Sequence, residues 1–140
     1  MADLNPDAAR RLMFRGSLEV LVLAVLADGP AHGYRIQKRV AEATGQPLPP
    51  GTLYPLLHDL ETRGLVDVSS QTVRGRPRKV YRLTEAGGHH LRTAAVGWQA
   101  AIAKMQAVVL PALRRVPRPH RPDASTDVQT APDPASRLER

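Results

Sequence analysis

The chain has no cysteine, which excludes disulfides, thiolate zinc sites and cysteine nucleophiles together and fits a reducing compartment. Long apolar runs are also missing: Leu18 to Ala27 is about half of the roughly 20 residues needed to span a bilayer and reads as a core helix. Met1-Ala-Asp-Leu-Asn-Pro6 lacks the basic and apolar layout of a signal peptide, so a cytoplasmic chain without membrane contact is expected. Catalytic patterns are absent as well: no Gly-rich phosphate loop, no Ser-His-Asp arrangement and no carboxylate pair in a pocket-like setting. His89 and His90 would point about 100° apart on a helix, and His32, His58 and His120 lie in separate segments. Neither a metal site nor a cofactor is expected, and an enzyme is not expected.

What is present is one modest domain of 140 residues with a net charge of +7. From Arg74 to Arg82 the chain carries Arg74, Arg76, Arg78, Lys79 and Arg82 with no acidic residue between them. Such a run is a polyanion footprint rather than a mixed solvated face. Just before it, Leu53, Leu56, Leu57 and Leu60 fall at helical spacing on one face, with Thr52, Tyr54, Pro55, His58, Asp59 and Arg63 on the others. A short helix with a dry back and a polar front suits a nucleic-acid groove. After Gly64, Val66 and Val68 lead into a turn rich in Gly, Arg and Pro, and Val80-Tyr81-Arg82-Leu83 returns, giving a hairpin with a cationic tip.

The remaining elements follow from caps and stripes. A first helix opens at Gly16-Ser17, buries Leu18, Leu21, Val22, Val25 and Leu26, and stops at Asp28-Gly29-Pro30. A second runs from Ala31 or His32 to Thr44, with Tyr34, Ile36 and Val40 inward and Gly45 closing it. The third starts near Thr52, which puts Pro55 in its first turn, where a missing donor costs little. The fourth opens at Thr84-Glu85; Gly87 and Gly88 weaken its first turns, and Pro111 kinks or ends it soon after Val109. On it Leu91, Ala95, Trp98, Ile102, Met105, Val109 and Ala112 step by alternating fours and threes, the seam of a coiled coil. That stripe packs on its own domain or on a second copy of the chain; a small folded core favours the second copy. The expected layout is a flexible segment over 1–11, a DNA-binding domain over 12–83, a dimerisation helix over 84–115 and a disordered Pro-rich tail over 116–140.

Several motifs, in order, carry a family resemblance: Phe14-Arg-Gly-Ser-Leu-Glu19, Gly29-Pro-Ala-His-Gly-Tyr34, Gly51-Thr-Leu-Tyr-Pro55, Arg63-Gly-Leu-Val66, Gly75-Arg-Pro-Arg-Lys79 and Tyr81-Arg-Leu-Thr-Glu-Ala-Gly87. Over roughly residues 12–90 the chain resembles the PadR-like transcriptional regulators, and its single helix after the wing resembles the short form of that family. The resemblance implies a mainly α fold with a small β-hairpin, a winged helix-turn-helix and a C-terminal dimerisation helix. It also implies a homodimer on an inverted-repeat operator in double-stranded DNA, usually as a repressor. Leu48-Pro-Pro50 departs from the capping residue that many relatives have at the start of the third helix.

On this reading Thr52, Tyr54 and His58 enter the major groove, while Arg76, Arg78 and Lys79 hold flanking phosphates or reach into the minor groove. Tyr54 is alternatively a half-buried packing residue, His58 a solvent-exposed bystander, and Tyr34 is core rather than contact. Trp98, the one tryptophan, is either core or one wall of a site for a planar small-molecule effector, as in some multidrug-responsive relatives. The dimer interface would comprise Leu91, Ala95, Trp98, Ile102, Met105 and Val109. A second class stays open: a winged-helix protein-interaction adaptor that does not bind DNA, whose basic wing would need an acidic partner.

Overall fold

The computed structural model describes residues 5–119, so most of the expected Pro-rich tail lies outside the described residues. Four helices and three strands follow in the order α1 (Pro6–Ala27), β1 (Ala31–His32), α2 (Gly33–Thr44), α3 (Pro50–Thr62), β2 (Val66–Val73), β3 (Arg76–Leu83) and α4 (Glu85–Leu113). Two compact units are distinguished, Met1–Met105 and Gln106–Arg140; the first contains the sheet, α1 to α3 and most of α4.

The core of the first unit forms where helical stripes meet the sheet. Val22, Leu23, Ile36, Val40, Leu53, Leu57, Leu60 and Val66 are fully buried, each burial contributing about 1.5–3 kcal/mol. Leu53, Leu57 and Leu60 turn inward as their spacing predicts, and Leu56 is half-buried against the same core. Leu23 and Tyr81 join it unannounced, because α1 contacts α2 and β3 at once and β3 is the middle strand of the sheet.

Several boundaries differ from expectation, each for a local reason. The first helix starts at Pro6 rather than at Gly16-Ser17: Asn5 caps it, its Oδ1 accepting from the Ala8 amide at 2.7 Å, with Pro6 and Asp7 in the first turn. Ser17 is therefore a mid-helix residue whose hydroxyl donates to the Met13 carbonyl at 2.9 Å. The second helix begins at Gly33 because Ala31 and His32 form a third strand, pairing antiparallel with Tyr81 and Val80. Tyr34 is 70% exposed rather than core, since the buried faces of this short helix are taken by Gly33, Ile36 and Val40.

Proline placement accounts for the rest. The third helix starts at Pro50, the first helical position, where its fixed φ suits the helix and its missing donor is not needed. Pro55 consequently falls in the second turn, not the first, and removes one helical hydrogen bond there. In α4, Pro111 lies inside the helix, which runs to Leu113, four residues beyond Val109, and the Arg114 and Arg115 amides donate to the Pro111 and Ala112 carbonyls. Although α4 has no long unbroken apolar run, it is long and apolar enough to cross a membrane, with a mean hydropathy of 1.2 and none of that stretch buried.

The hairpin is tighter than its composition suggests. Only Arg74 and Gly75 form the turn, both with positive φ (52° and 76°), the two-residue geometry that matches strand twist. Arg76, Pro77, Arg78 and Lys79 are thus on β3 and not in the turn, paired with Val73, Thr72, Gln71 and Ser70.

Gly87 is not a weak point of α4 but the condition for its position. It is buried, and a Cβ there would collide with the Leu65 carbonyl and stand 2.7 Å from Leu83 Cδ1. Thr84 locks the same spot, its hydroxyl donating to the Gly64 carbonyl at 2.8 Å and accepting from the Gly87 amide at 2.9 Å. Gly87→Ala is expected to cost about 1–3 kcal/mol, the usual penalty of overpacking, despite alanine's better helix propensity. Urea unfolding of the variant checks this; an unchanged or raised midpoint contradicts the close approach.

Candidate nucleic-acid interface

The chain carries cations throughout, and a carboxylate pairs with only some of them. On the helical body Arg10 pairs with Asp7, Arg39 with Asp28, and Arg63 with both Glu19 and Asp59 at 3.0 Å. Among the described residues no carboxylate pairs with Arg74, Arg76, Arg78, Lys79 or Arg82. All five are exposed. Alternation along β3 sends Arg76 and Arg78 to one face and Lys79 to the other, so the wing is cationic on both sides.

Helix α3 and the wing meet at one cleft of about 640 Å³. Tyr54 from α3, Arg78 and Lys79 from β3, and His32, Gly33, Tyr34 and Tyr81 from the β1–α2 junction and the sheet line it. Three of the sequence-derived candidates, Tyr54, Arg78 and Lys79, are thereby brought together. Thr52 and His58 are exposed on α3 outside the cleft, and Arg76 stands next to the hairpin turn. Tyr54 is 45% exposed, and one edge of its ring lies against Gly33, which fits its reading as a half-buried packing residue.

Sequence reasoning missed His32, Tyr34 and Tyr81 as parts of this wall. The available signal was the short β1 strand, too brief for any periodicity to reveal. Within the wall the Tyr81 phenol has its pKa pushed up, first by burial, then by the Tyr54 phenol and Glu61, which keeps it a neutral donor. His32 Nδ1 is buried without a hydrogen-bond partner among the described residues.

A second node ties this front to the rest of the first unit. Glu19 of α1 receives Arg63 from the end of α3 at 3.0 Å and His90 Nε2 from α4 at 2.7 Å. The Arg63 hydrogen bond, ahead of the His90 one, holds the Glu19 carboxyl below its ordinary pKa, and the Arg63 guanidinium is raised in turn. No group of three or more potential ligands that could hold a metal occurs among the described residues.

Trp98 packs over α1. Its indole Nε1 donates to Ser17 Oγ at 3.2 Å, and its ring, 44% exposed, borders an apolar groove of about 500 Å³ with Met13, Phe14, Ser17 and Leu21. Of the other seam residues in the first unit, Leu91, Ala95 and Ile102 are half-buried and Met105 is exposed; in the second unit Val109 is exposed.

Four helices and a three-stranded antiparallel sheet, with a polar-fronted third helix beside a cationic hairpin, define a winged helix-turn-helix protein. Residues 22–93 match the Transcriptional regulator PadR-like family, and the chain belongs to that family. It is 40% identical over 73 residues to the transcriptional regulator Rv3488 of Mycobacterium tuberculosis, covering 52% of this chain and 67% of that protein. It is 35% identical over 92 residues to the transcriptional activator GvpE2 of Halobacterium salinarum, covering 66% of this chain but only 39% of that protein. Among solved structures, a PadR family transcriptional regulator from Eggerthella lenta superposes with a TM-score of 0.68 at 33% identity, over 74% of this chain and 90% of that one.

The unanswered cations make a direct prediction. Replacing Arg76 and Arg78 together by Ala is expected to weaken binding to every duplex and to flatten the salt dependence by about one unit of slope for each phosphate left without its cation. Affinity measured from low to moderate salt checks it; full affinity of the variant at every salt concentration would remove the wing from the interface.

Proposed function

We propose that this PadR-like transcriptional regulator binds double-stranded DNA sequence-specifically as a homodimer, with α3 in the major groove and the wing on flanking backbone. The observation that carries the reading is the pairing of Tyr54 on α3 with the unanswered cations Arg78 and Lys79 in one cleft. Thr52 and His58, exposed on the same helix, are assigned to base edges, and Arg76 to phosphate. A regulator of this kind acts by occupancy and has no catalytic residues to assign. An operator overlapping a promoter gives repression, the sense implied by the family resemblance. Activation, the sense carried in the name of the Halobacterium relative, requires an operator placed upstream. The adaptor alternative predicts no steep salt dependence with DNA, so the wing titration also decides against it or for it.

The apolar stripe of α4 supports the homodimer. Trp98, Met105 and Val109 of the seam are 44–51% exposed, a cost that burial against a second copy relieves. A membrane is the poorer cover, because Lys104 falls within the apolar stretch, where a charge is costly in hydrocarbon. Ile102→Asp with Met105→Asp is expected to give monomer or aggregate in sedimentation; an unchanged dimer removes this seam from the interface. Two α3 helices related by a two-fold axis then require an inverted repeat with half-sites about one helical turn apart, or a multiple.

Trp98 is the assigned site for a small aromatic effector, supported by the open apolar groove beside it and by the empty space around Gly97. Stacking there would add about 0.5–1.5 kcal/mol beyond area burial, and release of DNA would follow only from a difference in ligand affinity between dimer shapes. Planar cationic or phenolic compounds should quench Trp98 fluorescence and lower operator affinity together. Quenching without loss of affinity, or no quenching, makes Trp98 structural.

A further inference from the structure

Gly33 opens α2, yet its backbone does not call for glycine: it is helical and is not among the positive-φ residues. Alanine would serve the helix better. What the position does require is space, because a Cβ there would stand 2.5 Å from the Tyr54 hydroxyl, 2.7 Å from Cζ and 2.8 Å from Cε1. The obstacle is a ring from another helix, and it cannot slide away without leaving its place. Tyr54 therefore lies with one edge on the α2 backbone while the remainder of the ring faces the cleft it shares with Arg78 and Lys79.

We infer that Gly33 is a positioning residue for DNA binding: the missing side chain seats the Tyr54 ring so that its hydroxyl and the Arg78 and Lys79 cations engage the same stretch of duplex backbone. The inference rests on the DNA-binding reading above. A phenol donor and cations lining one cleft suit the phosphates of one stretch of backbone, which accept charge-assisted hydrogen bonds. Pushing the ring off Gly33 would move its hydroxyl from that place and separate α3 from the wing as phosphate ligands. Gly33 touches no DNA in this account; it acts through Tyr54.

A double-substitution cycle on the full chain tests this, with a mixed-sequence duplex titrated against salt. Gly33→Ala is expected to keep its helical circular dichroism and melting behaviour, lose about tenfold in affinity and show a slope shallower by about one unit. Tyr54→Ala should lose a similar amount, and Gly33→Ala should then cost nothing further in the Tyr54→Ala background. Unchanged affinity in Gly33→Ala, or an equal loss in both backgrounds, overturns the inference. Arg78→Ala separates the two levels: if it weakens binding while Gly33→Ala does not, the DNA-binding reading stands and the positioning role falls; if none of the three binds more weakly, both fall. Should Gly33→Ala fail to fold, proton NMR of the unaltered chain decides. The Gly33 α protons should be shifted upfield by the Tyr54 ring, return to ordinary values in Tyr54→Ala, and move when duplex is added; ordinary values in the unaltered chain, or no response to saturating duplex, would contradict the seat.

Discussion

The architecture depends on one close approach of backbone to backbone, where the first turn of α4 meets the link between α3 and β2. The Leu65 amide donates to the Leu60 carbonyl at 2.9 Å, which closes α3, and the Leu65 carbonyl accepts from the Thr84 amide at 3.2 Å, which closes the sheet. Thr84 then caps α4 over the same spot, and Gly87 leaves the space that lets the helix settle there. Helix α3, the wing and α4 therefore share one small polar knot whose donors and acceptors are all within a few residues of Gly64 or Thr84. Buried backbone groups left unpaired there would each cost about 1–3 kcal/mol, so the three elements cannot be moved independently at their common root.

Electrostatics sorts the surface around that knot. Glu19 answers Arg63 and receives His90, binding α1, α3 and α4 together. The pairs on the helical body are exposed or half-exposed and each contributes little to stability, yet they consume cationic charge that would otherwise blur the field. Arg74, Arg76, Arg78, Lys79 and Arg82 on β3 and its turn form the longest cationic run without a carboxylate partner among the described residues. A localised positive strip on a thin hairpin is a geometry for reaching a polyanion, and its energy is realised through counterion release rather than through folding.

Much of this was legible in the sequence. The leucine face of α3, the Gly45 stop and the Thr84 cap are periodic or punctuated signals within single elements, and the family motifs supplied their order. What was not legible lay between elements. The two-residue strand Ala31–His32 has no periodicity to detect, and without it Tyr34 reads as core when it is 70% exposed. Residues 6–15 are nearly all exposed, so the first half of α1 has no buried stripe to announce it, and its start is set by the Asn5 cap and Pro6. Gly33 and Gly87 look like helix weaknesses in one dimension; only the neighbours that fill their missing side chains, the Tyr54 ring and the Leu65 carbonyl, explain them.

On the proposed function, α3 and the wing act as one DNA-binding surface rooted in a common knot. Amide hydrogen exchange of the full chain, with and without saturating duplex, tests it most directly, since protection reports local opening along the whole backbone. Added DNA is expected to protect the amides within residues 51–58 of α3 and residues 76–80 of the wing together, prolines excepted, while those of residues 7–14 of α1 keep their rates. Protection confined to α1 or α4, with the α3 and wing amides unchanged, would contradict it.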